Sequence, residues 1–209
     1  MPATPHSEGR AFVVGVTGNI ACGKTSVMAE LSRLGAATID ADQVYHQLIA
    51  PKSELWTILV NHFGSDIVAA DGQIDRRALG GIVFRDAARR AELERLTHPA
   101  IRSAIQGQIS NYDSGVLAVD AVKLIEGGLH LECDSVWLVT CRPDQQVARL
   151  IARNELSVEE AEQRIAAQPP TGSKLQIADV KIDNSGAVEA TMAQVHRVWH
   201  TLGLDRIVR

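Results

Sequence analysis

At 209 residues, with 21 Lys and Arg against 25 Asp and Glu and a formal charge of −4, the chain can bury one sizeable core and has no overall positive field to draw it onto nucleic acid or an anionic membrane. The opening residues MPATPHSEGR lack the apolar stretch of a signal peptide, and no run nears the roughly 18 apolar residues of a membrane span, so a cytoplasmic protein is expected, with residues 1–10 as a disordered tail. Cys22, Cys133 and Cys141 are odd in number and lack C-x-x-C or ligand spacing, which argues against a disulfide framework or a structural zinc site and leaves free thiols.

The first predicted element is the continuous apolar run AFVVGV, the pattern of a strand covered on both faces. It leads into GVTGNIACGKTS, where Gly18, Gly23, Lys24 and Thr25 match G-x-x-x-x-G-K-[ST], the phosphate-binding loop. Its glycines let backbone N–H groups turn inward around a phosphate, which makes Gly18, Asn19, Ala21, Cys22, Gly23 and Ser26 candidate nucleotide contacts. The helix that follows carries Val27, Met28, Leu31 and Leu34 on one stripe, with Gly35 as its stop. Its N-terminus adds partial positive charge, Lys24 can reach the β- and γ-phosphates, and the Thr25 hydroxyl can ligate Mg²⁺. A Gly-rich turn that merely joins strand to helix would explain one glycine and leave Lys-Thr at this spacing to chance. Cys22 reads as a small loop residue, or as a thiol activated by Lys24 and the helix end.

A second strand, AATID, delivers the acidic pair Asp40 and Asp42 of TIDADQVYH, and ligand chemistry gathers at the carboxyl ends of strands in an open parallel sheet. One carboxylate could take a proton from a substrate hydroxyl while the other organises Mg²⁺ through water; the competing reading is a solvated turn with Asp42 as helix cap. Residues 44–112 show helical patterns, DAARRAELERL and PAIRSAIQGQI among them, and little strand signal. Then come the apolar runs VLAVDAVKLI and SVWLVT, a basic helical stretch, and VKID. In the basic stretch Arg149 and Arg153 lie four apart on one face, and Ser157 with Glu160 forms a capping box that opens a helix carrying Arg164. Two such helices could make a mobile lid over a triphosphate, or simply a solvated face whose arginines pair with Glu155, Glu159 or Glu162. A last helix places Val188, Met192, Val195, Trp199 and Leu202 at core-packing spacing.

The alternation of strands and helices predicts an α/β fold, a P-loop kinase-like parallel sheet flanked by helices with a helical insertion. No N-K-x-D base-reading motif is present, which disfavours a GTPase, and the length suits a small-substrate kinase. A nucleotide-binding regulatory module remains the alternative from outside enzymology.

Nearly the whole chain, from GVTGNIACGKT through TIDADQVYH, IDRRALGGIVF, LERLTHPAI and VARLIARNELSVEEAEQRIAAQ to IDNSG, resembles dephospho-CoA kinase, with these segments in the family's order. The resemblance implies ATP-dependent phosphorylation of the ribose 3′-hydroxyl of dephospho-CoA to coenzyme A, with ATP and Mg²⁺ as cofactors and dephospho-CoA as the small-molecule partner. It implies no nucleic acid or membrane partner and assigns no oligomeric state. It divides the chain into a nucleotide-binding core (11–43, 114–142 and 171–209), an acceptor-binding insertion (44–113) and a lid (143–170). Residue by residue it implies Asp40 as general base, Lys24 and Arg149 as catalytic cations, and Asp42, His46, Arg76 (rather than Arg77) and His98 as acceptor contacts. Pro99 of the same His-Pro also suits a first helical position. Asn184, Ser185 and Gly186 resemble the adenine-side loop, with Asn184 and Ala187 as its nucleotide contacts. Where the family has an apolar strand ending in Pro-Leu-Leu-x-Glu, this sequence reads Val122-Lys123-Leu124-Ile125-Glu126. Glu126 keeps its place and reads as a carboxylate that orients Mg²⁺ or substrate, or else caps a neighbouring loop, while Lys123 reads as a strand lysine that meets an acceptor phosphate or else exits to water. Another nucleoside or nucleotide kinase is the nearer enzymatic alternative.

Overall fold

The computed structural model describes residues 10–83 and 86–208, so of the tail expected over residues 1–10 all but Arg10 lies outside the described residues. The chain forms two compact units, one reaching to Ile39 and resuming at Ile109, the other spanning Asp40–Gln108. In the first, β1 (Phe12–Thr17), β2 (Ala37–Asp40), β3 (Val116–Asp120), β4 (Ser135–Thr140) and β5 (Val180–Asp183) make a five-stranded sheet in the order β2-β3-β1-β4-β5. The β1–β3, β1–β4 and β4–β5 pairs are parallel. All six residues of β1 are buried, which accounts for its unbroken apolar run; each valine so covered contributes about 1.5–3 kcal/mol. The chain leaves β1 toward β2 on one side and later crosses to β4 on the other, so the sheet's switch point falls where the phosphate loop begins.

Helix α1 (Lys24–Arg33) lays Val27, Met28 and Leu31 on this sheet and ends as its glycine signal requires: Gly35 stands at φ 103°, and the Ala36 N–H reaches back to the Leu31 carbonyl at 3.0 Å. Two aspartates standing just before strands clamp the sheet's amino-terminal edge. The Asp134 N–H donates to the Val13 carbonyl while the Val13 N–H donates to Asp134 Oδ2, both at 2.8 Å. Asp179 repeats the arrangement on Val136, at 2.9 and 2.8 Å. Arg10, the first described residue, pairs with Asp134.

The final helix, α9, spans Val188–Thr201 and buries Thr191, Val195 and Trp199; Val188, expected in the core, is exposed because it opens the helix one turn short of the sheet-facing stripe. Facing α9, Glu30 of α1 accepts from Arg33 at 2.6 and 2.9 Å and from His196. The Arg33 hydrogen bonds, reinforced by His196, hold the Glu30 carboxyl down to about 2 against an ordinary 4.5. A carboxylate depressed in the folded state gives stability that is present above its unfolded value and lost as pH falls through its folded one. In urea unfolding, Glu30→Gln should therefore be less stable than the wild type at neutral pH, with the difference shrinking as pH falls from 4.5 toward 2.

The second unit contains α2 (Ala41–Leu48), α3 (Glu54–Phe63), α4 (Arg76–Val83) and α5 (Ala87–Ser110) around Ile49, Leu55, Leu59, Ile67, Ile74, Leu79 and Val83. Ser53, Asp75 and Asp86 cap α3, α4 and α5 through side-chain oxygens. Pro99 does not begin a helix; it lies inside α5, where the two helical patterns merge. Leu93 and Leu96 before it and Ala100 after it pack on the same core, and that packing outweighs the single backbone bond the proline forfeits.

The predicted strand VLAVDAVKLI is also shorter than its apolar run: β3 stops at Asp120 and residues 122–128 form turns. Beyond β4, α6 (Pro143–Asn154) and α7 (Val158–Ala166) form a packed pair, and the capping box is present, with Ser157 and Glu160 each accepting the other's backbone N–H at 3.2 and 2.9 Å. The short α8 (Thr171–Leu175) precedes β5. Among the described residues no helix is long and apolar enough to cross a membrane.

Candidate active site

Residues 18–23 link β1 to α1 with two conformations that a side chain would oppose. Gly23 caps α1 at φ 93°, and a Cβ there would collide with the Asn184 amide; a Cβ on Gly18 would strike the Val139 carbonyl. Ala21, at φ 60°, is a non-glycine in the left-handed region. The N-terminus of α1 has no side-chain cap, unlike α2, α3 and α7, so its leading N–H groups keep their capacity for an anion. Lys24 Nζ folds back to the Gly18 carbonyl at 3.2 Å, and Thr25 and Ser26 are exposed at the first turn. Asn19 and Cys22 are buried, and Cys22 belongs to the hydrophobic core, which favours its reading as a small packed residue. All three cysteines are free. Cys141 Sγ lies 3.6 Å from Cys22 Sγ, and burial, with Cys22 beside it, pushes the Cys141 thiol up to about 12.

Several contacts that no local motif foretold hold this loop. Gln146 of α6 donates to the Ile20 carbonyl at 2.7 Å, the Ile20 N–H donates to Gln168 at 2.7 Å, and Asn19 Nδ2 donates to the Pro169 carbonyl at 3.2 Å. Asn184 spends its amide within the protein, giving Nδ2 to the Cys22 carbonyl and taking the Thr191 hydroxyl on Oδ1, each at 2.9 Å. It braces the loop from below; Ala187, which precedes α9, is exposed. Arg149 divides its guanidinium. Nη2 donates to the Asn184 carbonyl at 3.0 Å, while Nη1 is buried beside Gly23 with no hydrogen-bond partner among the described residues. Arg153 turns to Asn154 and Arg164 is exposed.

In the turn after β3, Lys123 is exposed rather than carried in a buried strand, which removes the reason for expecting it to need an anionic partner. Glu126 pairs at 3.4 Å with Lys174, a residue the sequence reading passed over. Lys174 is 1% exposed; burial lowers its pKa and Glu126 opposes the fall. Nothing in TGSKLQ distinguishes that lysine from a solvated one.

Within the second unit Asp40 caps α2, its Oδ1 accepting from the N–H groups of Asp42 at 2.8 Å and Gln43 at 3.2 Å. The cap is thus the first aspartate of the pair and not Asp42. One turn on, His46 Nδ1 contacts an Arg76 guanidinium nitrogen. Both line a cavity of about 300 Å³ together with Asp42, Tyr45 and the apolar Ile74, Leu79, Val83 and Leu93. Burial raises the Tyr45 hydroxyl pKa, opposed by Arg76. A cavity lined by apolar side chains together with Arg76, His46 and Asp42 suits a molecule with both apolar and charged groups. His98 is half-buried on α5 and is not among the residues lining this cavity.

The sequence model of the dephospho-CoA kinase family matches residues 12–190. The chain belongs to the dephospho-CoA kinase family. A dephospho-CoA kinase of Symbiobacterium thermophilum is 44% identical over 190 residues, covering 90% of this chain and 80% of that protein. Among solved structures, TT1252 from Thermus thermophilus superposes with a TM-score of 0.76 at 29% identity, over 92% of this chain and 98% of the other. Dephospho-CoA kinase from Campylobacter jejuni gives 0.67 at 25%, over 93% and 98%. Family membership makes the chain an ATP-dependent kinase of coenzyme A biosynthesis. For a dephospho-CoA kinase the uncapped α1 terminus and the unpartnered Arg149 Nη1 are fitting hosts for phosphate. Among the described residues no three His, Cys, Asp or Glu side chains are grouped to hold a metal ion. The Thr25 hydroxyl, exposed at the first turn of α1, is of the kind that accepts Mg²⁺ beside nucleotide phosphates.

Proposed function

We propose that this kinase transfers the γ-phosphoryl group of ATP to the ribose 3′-hydroxyl of dephospho-CoA with Asp40 as general base, and Lys24 and Arg149 as the cations that meet the charge on the transferred group. The observation that carries the nucleotide half is the divided guanidinium of Arg149: one nitrogen is anchored on the Asn184 carbonyl and the other is buried and unpartnered beside Gly23. A buried cationic donor without a partner costs free energy unless an anion is brought to it, and a phosphate is such an anion. Phosphoryl transfer of this kind is positioning plus charge stabilisation.

Residues 18–26 cradle the phosphates, and the Thr25 hydroxyl would hold Mg²⁺, which would supply charge neutralisation to the phosphate oxygens. Asn184 supports the cradle and Ala187 borders the nucleotide. Residues 143–170 serve as lid and residues 44–113 as the acceptor-binding insertion. In the acceptor half the cavity at His46 and Arg76 supports recognition of the acceptor's anionic groups, with Asp42, His98, Lys123 and Glu126 as further contacts. The reaction belongs to the cytoplasm, and no nucleic acid or membrane takes part. The test is ADP release with ATP and Mg²⁺ in the presence of dephospho-CoA, AMP, pantetheine phosphate or no acceptor, with mass spectrometry of the product. A product one phosphoryl group heavier, formed from dephospho-CoA alone and lost when Mg²⁺ is chelated, is expected; equal turnover of AMP would overturn the acceptor assignment.

A further inference from the structure

In α8 the usual sense of burial is inverted. Leu175 and the nearby Ile177 are 45% and 42% exposed, while Lys174, the helix's buried residue, is 1% exposed. A short helix that turns its apolar side chains outward and a lysine inward is not held by the hydrophobic effect, and an ammonium group stays in such a place only where its donors are met. Lys174 Nζ lies 2.5 Å from the Val122 carbonyl, 3.4 Å from a Glu126 carboxylate oxygen and 3.5 Å from the Thr17 hydroxyl, which itself donates to the Val122 carbonyl at 3.1 Å. The ammonium thus joins the end of β1, immediately before the phosphate loop, to both ends of the turn that carries Val122 and Glu126. That turn has no strand or helix of its own to orient Glu126. On its other side α8 follows the Gln168–Pro169 segment that binds Ile20 and Asn19 of the loop.

We propose that Lys174 is a positioning residue that holds the Glu126 carboxylate, and the turn bearing it, in place for the phosphoryl acceptor. This rests on the reading of Glu126 as an acceptor-side contact. On this assignment Lys174 acts through Glu126 and not on a reactant: it is 1% exposed, its charge is compensated by Glu126 and its shortest contact is to the Val122 carbonyl. Loss of Lys174 lets the Glu126 side chain swing to solvent, while the phosphate loop keeps its supports from Asn184, Gln146 and Gln168. The consequence falls on the acceptor and spares ATP.

The experiment is a double-mutant cycle on the full chain with Lys174→Met, Glu126→Gln and their combination, measuring KM separately for dephospho-CoA and ATP. Each single variant should raise the KM for dephospho-CoA about tenfold and leave that for ATP within about twofold, and the double variant should be no worse than the worse single one. A purely structural role would raise both KM values together, and that result overturns the proposal, as does a double variant whose effect is the product of the two singles. Unchanged acceptor kinetics in Glu126→Gln alone removes the reading of Glu126 and the proposal with it; a Glu126→Gln effect to which Lys174→Met adds independently removes only the proposal. If circular dichroism shows that Lys174→Met does not fold, the cycle is run with Lys174→Arg, which keeps the charge, under the same criterion of additivity.

Discussion

Asp40→Asn is expected to lower kcat for phosphorylation of dephospho-CoA about 10²–10⁴-fold while the KM for ATP stays within about twofold, the range lost when a general base is removed from its proton transfer. The structure makes asparagine the informative replacement. Asp40 has a second task as N-cap of α2, and only Oδ1 performs it, accepting the Asp42 and Gln43 N–H groups. Asparagine retains that oxygen and ranks with aspartate as a cap, so α2 stays in place; only the negative charge and its basicity go. Alanine would remove the cap as well and cost about 1 kcal/mol of stability, mixing folding with chemistry. Steady-state kinetics paired with urea unfolding of the asparagine variant separate the two. Wild-type turnover by a folded Asp40→Asn enzyme would eliminate Asp40 as the base.

Arg149→Lys should be nearly as damaging, lowering kcat by about a thousandfold, the low end of what an arginine supplies to a transferring phosphoryl group. The replacement keeps the charge, so net charge arguments predict little; the geometry predicts much. The guanidinium reaches two ways at once, to the Asn184 carbonyl and to the space beside Gly23. A lysine has one charged nitrogen and must choose, and the carbonyl is the partner always present. Thermal stability should change little because the residue is half-buried and its hydrogen bond among the described residues is the one to the Asn184 carbonyl. Turnover within about tenfold of the wild type would show that the second nitrogen does not meet the transferred phosphate.

Much of the nucleotide half was legible because its determinants are local. Strand, glycine loop, Lys-Thr and amphipathic helix occupy one continuous stretch, and the Ser157–Glu160 box is written in four residues. What stayed hidden depends on pairs far apart in the chain: Ile20 with Gln168, Cys22 with Asn184, Glu126 with Lys174. No periodicity marks a lysine that will be buried. The run VLAVDAVKLI misled because burial and strand geometry part company after Asp120, where Leu124 remains fully buried inside a turn. Pro99 misled for the reason that a local stop signal loses to a long helix packed on both sides of it.

The two aspartate clamps lie at the opposite end of the sheet from the phosphate loop. Asp134 fixes where β4 begins against β1, and Asp179 where β5 begins against β4. β1 and β4 are both six residues long, so the places where they release the chain, at Thr17 and Thr140, are measured off from those two carboxylates. A slip of one residue would turn every side chain to the other face. The strands act as rulers with their zero marks at the clamped edge, so the ties from Gln146, Gln168 and Asn184 have only to shape a loop whose address is already set.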